Sequence, residues 1–228
     1  MKSLLFAALA ATSLCACSSV SVKDYQKTGE VKRPSRIYVA PFETKGASYK
    51  VAWDKDGSKT PAFAKETANT LANYTVENVT KHVAPASKVV PPSGVPRTGW
   101  LVTGRFVRVN SGNRGMRMFI GLGAGGSKME TEVKVFDLAS GGRKPFLQFS
   151  TTGGSNAMPG LITSGGPGVG AVYSMIYQAA NGTTDDAART SRMIAGGLSE
   201  YYGQRGWIPK DKVFKIKRLG EYQIAHGM

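Results

Sequence analysis

The chain has 228 residues, of which 41% are hydrophobic, and its 30 Lys and Arg against 15 Asp and Glu give a formal charge of +15. That length suits one domain rather than two, and the apolar share is enough to build a core. Its 2 cysteines are Cys15 and Cys17, both near the N-terminus, which excludes a disulfide framework or a cysteine metal site in the body of the chain.

The first element is "MKSLLFAALAATSLCAC". Lys2 precedes a short apolar run from Leu4 to Ala11, and small residues lead up to a cysteine. A membrane-spanning helix needs roughly 20 apolar residues and this run is about half that, so the segment reads as a secretory signal. Leu14, Cys15, Ala16 and Cys17 follow the pattern Leu-x-(Ala/Gly)-Cys and resemble the lipobox of bacterial lipoproteins. The resemblance implies cleavage after Ala16, so that residues 1–16 are a signal peptide, and a diacylglycerol thioether on Cys17, whose new amino group is then acylated. Acyl chains contribute about 0.8 kcal/mol per buried methylene, enough for a multiply acylated cysteine to hold the protein on a membrane. Ser18 stands where an Asp would retain an enteric lipoprotein at the inner membrane, which implies an outer-membrane, lipid-anchored location on the periplasmic face.

An exported protein with this excess of positive charge meets lipid headgroups, lipopolysaccharide and cell-wall polymers rather than nucleic acid. The expected partners are therefore the membrane, through the lipid anchor, and an envelope protein or an anionic envelope polymer, with no nucleic acid. The charge makes a polyanion-binding role, toward lipopolysaccharide or a cell-wall polymer, one functional expectation, while a solvated basic face explains the same excess without a specific partner.

Residues Ser18 to Ser35 are polar and lack sustained periodicity, so 17–35 reads as the lipidated cysteine and a flexible tether. "RIYVAPFE" is rich in β-branched and aromatic residues and reads as a buried first strand. A loop with Gly46, Asp54, Asp56 and Gly57 follows, then Thr60 as N-cap and Pro61 at the first helical position. That helix is expected to run to about His82, with Phe63, Thr67, Leu71, Tyr74 and Asn78 on one stripe and Ala64, Ala68, Thr75 and Val79 beside it.

"WLVTGRFVRV" is a strand in which Gly104 predicts a bulge or a close backbone approach. In "METEVKVFD" Met129, Thr131, Val133 and Val135 face one way and Glu130, Glu132 and Lys134 the other, a period of two. "LASGG" is a turn and "PFLQFSTTGGS" the next strand, so three sequential strands make an antiparallel meander. Beyond the glycine-dense 153–170, the last helix starts at Thr184 with Asp185 and Asp186 in its first turn. It carries Ala188, Ser191, Ile194, Leu198 and Tyr201 to Gly203 or Gly206. Phe214 and Ile216 in the basic tail are candidates for an edge strand.

The expected fold class is thus α/β (α+β): one domain at 36–210, with a mixed, mainly antiparallel sheet of about four to five strands and two main helices, order β-α-β-β-β-α. A basic C-terminal tail at 211–228 follows.

The segments "IYVAPFE", "GWLVTGRFVRV", "IGLGAGGSKMETEVKVFD" and "GLSEYYGQRGWI" together resemble a group of bacterial lipoproteins known only as a domain of unknown function, over roughly Arg36 to Ile208. More distantly, the element order and the phrase "VAPF" are similar to the α/β domain of the curli secretion channel lipoprotein, the Pel export lipoprotein and the TolB N-terminal domain. Those resemblances imply no catalytic residue. They leave two roles, a binding or assembly component of the cell envelope and an oligomeric accessory of a secretion or polysaccharide export system, with a homo-oligomer open.

Catalytic chemistry finds little support in the pattern. Gly121, Gly123 and Gly126 match G-x-G-x-x-G, but a dinucleotide fingerprint leads into a helix and this one leads into the alternating strand. Nor does Gly126, Ser127, Lys128 have the Gly-Lys-Ser/Thr order of a P-loop. His82 and His226 are the only histidines, with no H-x-x-x-H or G-x-S-x-G. Glu130 and Glu132 share one strand face and could pair as carboxylates, but solvent-facing alternation explains them more simply. No enzyme, no cofactor and no metal are expected; the one assigned site is lipidation at Cys17.

Overall fold

The computed structural model describes residues 21–29, 31–92, 94–112, 126–154 and 182–215. In chain order the strands are β1 (Ser21–Lys27), β2 (Ile37–Val39), β3 (Ser48–Lys50), β4 (Ala86–Lys88), β5 (Trp100–Asn110), β6 (Lys128–Asp137) and β7 (Pro145–Gly154). Helix α1 (Thr60–His82) lies between β3 and β4, and α2 (Gly182–Gln204) follows β7. A 3-10 turn at Lys210–Lys212 closes the described chain.

All seven strands join one sheet in the order β1-β7-β6-β5-β2-β4, with β3 also on β5. β5, β6 and β7 form the expected antiparallel meander, and β1 adds antiparallel to β7. β2 runs parallel to β4 and β5. β3 continues the line of β2 along the same edge of β5: Ile37 sits opposite Trp100, Glu43 bridges Arg105, and Ser48 lies opposite Arg108. The α+β class, the mixed sheet and the two main helices stand as expected. The sheet is larger than four to five strands because β1, β3 and β4 are added at its margins.

Both helices pack on each other and on one face of the sheet, enclosing a single core. The face of α1 that turns inward consists of Ala64, Thr67, Ala68, Leu71, Ala72, Thr75 and Val79, close to the predicted stripe. Ser191, Ile194, Leu198 and Tyr201 of α2 are likewise buried. Their partners are the alternate residues of the strands, among them Val102, Phe106, Met129, Val133, Val135 and Phe149. Burying a side chain of this size contributes about 1.5–3 kcal/mol, so this one apolar face supplies most of the cohesion.

Gly104 is a point of close approach. A Cβ there would meet the Glu132 carbonyl oxygen and come 2.5 Å from the Phe42 ring, so the ring of Phe42 occupies space that only glycine leaves open. A register shift between Phe106 and Arg108 places the bulge at Val107, three residues further on.

Three expectations are corrected. The segment expected to be a flexible tether, 17–35, contains β1, whose backbone is bonded to β7 from Ser21↔Thr152 to Lys27↔Leu147. An edge strand needs backbone partners rather than an apolar run, so its polar sequence hid it. Thr60 is the first residue of α1 rather than its cap; the Asp54 carboxylate accepts from Lys59 N (3.1 Å) and Thr60 Oγ1 (2.6 Å) instead. Phe214 is not in a strand: its backbone N–H donates to Ser199 Oγ (2.8 Å) and its ring stacks on His82, 4.1 Å between centroids. Ile216 lies outside the described residues.

Candidate functional site: the open sheet face and the two ends of the sheet

Among the described residues both helices lie on one side, and the other face of the sheet carries the outward residues of β5, β6 and β7. Arg105 and Glu132 meet there in a bidentate pair, Nε to Oε2 at 2.8 Å and Nη2 to Oε1 at 2.8 Å. Glu130 accepts from Lys128 at 2.7 Å and faces Arg108 at 3.7 Å. The hydrogen bonds from Arg105 hold the Glu132 carboxyl below the usual carboxylate range, against the opposing pull of burial. A carboxyl held ionised in this way is poorly suited to donate a proton at neutral pH. Glu130 and Glu132 do share a face as the alternation predicts, but each is committed to cations rather than to the other.

The strand registers define two ends of the sheet. At one end lie Ser21, Thr152, Lys128, Asn110 and Lys50, linked by Ser21↔Thr152, Lys128↔Gly154, Asn110↔Lys128 and Lys50↔Asn110. Cys17, the predicted lipidation site, lies outside the described residues, four positions before Ser21. Covalent reach limits its Cα to about 14 Å from that of Ser21. The glycines of "FIGLGAGGSK" fall mostly outside the described residues too, and so does the glycine-dense 155–170.

At the opposite end lie the start of β2, β4, β5 and β7 and the end of β1. Here Trp100, fully buried, packs against Phe146, Tyr201, Tyr202 and Trp207 with centroids 4.6 to 5.8 Å apart. The Arg33 guanidinium lies 5.9 Å over Tyr202 and that of Arg205 5.4 Å over Tyr201. Arg205 also donates to the Gly29 carbonyl and to Tyr201 Oη, and Arg36 Nη1 donates to Ser87 Oγ at 2.7 Å. Burial pushes the Tyr202 hydroxyl well above its ordinary pKa, with Arg33 opposing. No sequence motif announces this cluster; its members come from five separated segments, and only "YYGQRGW" holds several together.

His82 has its pKa lowered, first by burial and then by Lys81 and Arg192. Among the described residues no group of three or more His, Cys, Asp or Glu could hold a metal ion, and no helix is long and apolar enough to cross a membrane.

The described residues form a two-layer α+β arrangement, with both helices on one sheet face and charged side chains of β5 and β6 on the other. The sequence profile of the family described as "Domain of unknown function (DUF4410)" matches residues 37–172, and the chain belongs to that family. No curated protein matches the chain. Solved structures that align with it include the PelC dodecamer from Paraburkholderia phytofirmans, at 9% identity and TM-score 0.35 over 75% of this chain and 96% of that one. A Xanthomonas campestris protein of the DUF330 family aligns at 13% identity and TM-score 0.37 over 80% and 97% of the two chains. A Caulobacter crescentus protein assigned as a lipoprotein aligns at 13% and 0.32 over 72% and 91%. Membership of a family of unknown function is what the sequence resemblance implied.

Proposed function

We propose that this protein is a periplasmic lipoprotein held at the outer membrane through Cys17, acting as a non-catalytic binding or assembly component of the bacterial cell envelope. The observation that carries the reading is the sequence Leu14-Cys15-Ala16-Cys17 after a short apolar run, placed immediately ahead of the first strand. The commitment of Glu130 and Glu132 to Lys128, Arg105 and Arg108 supports a non-catalytic role. Metabolic labelling with an alkyne-bearing fatty acid tests the anchor: the wild type is tagged and Cys17→Ser is not. Equal tagging of both would sink the proposal. In a membrane gradient, Ser18→Asp shifts an enteric-type lipoprotein toward the inner-membrane fraction, so an unchanged distribution argues against outer-membrane sorting.

A second reading, an oligomeric accessory of secretion or polysaccharide export, is favoured by the β1 edge, whose outer backbone groups have no strand partner among the described residues. Light scattering on the detergent-solubilised protein over a wide concentration range separates the two, since a constant monomer mass excludes a ring.

A further inference from the structure

We infer that the end of the sheet remote from Cys17 is a docking surface for a carboxylate-bearing glycan polymer of the envelope. The inference deepens the binding role proposed above and rests on export of the chain. Arg33, Arg36, Arg143 and Lys144 are all exposed and gather at this end, because they flank the starts of β2 and β7. Lys27, at the end of β1, joins them and reaches Gln204 Oε1 at 2.9 Å. None of these five takes part in an ion pair among the described residues. Among the described residues Asp137 and Glu200 also lie at this end, where Asp137 Oδ1 accepts from Ala139 N and Glu200 Oε1 from Gln204 Nε2.

Two features make the patch more than diffuse charge. First, Arg33 is laid over the Tyr202 ring and Arg36 is tied to Ser87, so their planar donor forks are partly pre-oriented before any ligand arrives. Second, a partly exposed Trp207 packs beside them on Trp100 and Tyr202. Arginine forks match carboxylate geometry, and an aromatic beside them suits the apolar faces of sugar rings. The C-termini of α1 and α2 also end here, and their partial negative charge offsets part of the repulsion among the cations.

Position argues for a polymer rather than the membrane carrying the anchor. β7 has 10 residues, so the two ends of the sheet are separated by about 30 Å. Cys17 is tethered at the far one. A docking surface at this distance is placed to engage something other than the bilayer that holds the lipid.

The test uses the full-length acylated protein in neutral detergent, with polygalacturonate as the probe, uncharged dextran as control, and vesicles containing phosphatidylglycerol as the competing source of negative charge. The wild type binds polygalacturonate, more weakly as salt is raised, and does not bind dextran. The variant Arg33→Gln/Arg143→Gln/Lys144→Gln binds about tenfold more weakly. The charge-matched variant Lys45→Gln/Lys50→Gln/Lys55→Gln, altered near the opposite end, stays within about twofold. Equal weakening in both variants, or absence of wild-type binding, overturns the proposal. Vesicle binding stronger than polygalacturonate binding and lost in the first variant makes lipid the occupant and overturns it equally. All substituted residues are exposed, so a matching thermal midpoint confirms folding. Acylation at Cys17 is scored separately, so failure of the anchor and failure of the docking surface are distinguishable.

Discussion

Phe42 and Gly104 are fitted to each other: the ring of one fills the place where the side chain of any other residue at 104 would stand. The ring also lies 5.9 Å from that of Phe106, so the three residues form one packed unit on the core face of β5. Gly104→Ala therefore sets a methyl against both an aromatic ring and a backbone carbonyl of the neighbouring strand, and the carbonyl cannot move without disturbing the ladder. A loss of about 2–4 kcal/mol is expected in urea unfolding. A loss below about 0.5 kcal/mol would show that β5 and β6 can separate freely at this point.

The cap of α1 is expected to come from a distance. Asp54→Ala removes the acceptor for Lys59 N and Thr60 Oγ1, and a cost of about 1 kcal/mol follows. Thr60→Val should cost less than Asp54→Ala, since Thr60 is within the helix and donates to the cap rather than providing it. The reverse order, measured by denaturant midpoint at constant m-value, would restore Thr60 as the cap.

Arg105→Gln gives a pH-dependent difference from the wild type. The Glu132 carboxyl is held below its ordinary value chiefly by hydrogen bonds from Arg105. The pair therefore stabilises the fold fully above the pH where an unfolded glutamate ionises, about 4.3, and the contribution is lost as pH falls through the lower folded value. Because both side chains are substantially exposed, the effect is small and screened by salt. Urea midpoints of the two proteins should differ at pH 6.5 and converge at pH 3; a gap that persists at pH 3 would assign the loss to packing of the arginine stem.

Tyr202→Phe should leave stability unchanged or raise it. The Tyr202 hydroxyl is buried with no hydrogen-bond partner among the described residues, and the fully buried side chain packs on Trp100 and Trp207. Removing a polar group that is desolvated without compensation relieves a cost rather than deleting a bond. A fall of more than about 1 kcal/mol would reveal a partner for that oxygen. Trp100→Phe, by contrast, opens a void at the centre of the same cluster and is expected to destabilise by about 1–3 kcal/mol.

Much of this architecture is legible in the sequence wherever one side of an element is buried. Met129, Thr131, Val133 and Val135 alternate because β6 has a dry face and a wet one, and all four are buried. The stripe from Ala64 to Val79 repeats at helical spacing for the same reason. β1 escapes notice because its stability comes from backbone pairing with β7, which leaves no mark on side-chain pattern. β3 and β4 have 3 residues each, too few to carry a period. The shared face of Glu130 and Glu132 is visible, but their partners are not. Arg105 and Arg108 are brought opposite them by a register that shifts at Val107, and register is a property of two strands together. The aromatic and arginine cluster is hidden for a similar reason, since segments far apart in the chain meet only when the sheet is assembled.

The pairing of β1 with β7 has a mechanical side. The chain enters this strand at Ser21, from the direction of Cys17, and the ladder to β7 extends from there to Lys27. A pull exerted through the N-terminus along the strand axis loads those bonds in shear, all at once, whereas a pull across the axis would peel them one by one. A protein tethered at one end of its sheet and gripped at the other would experience the first kind of load. Under the anchoring proposed at Cys17, the strand that sequence disguises as a slack leash is the part of the fold that bears the load of the tether.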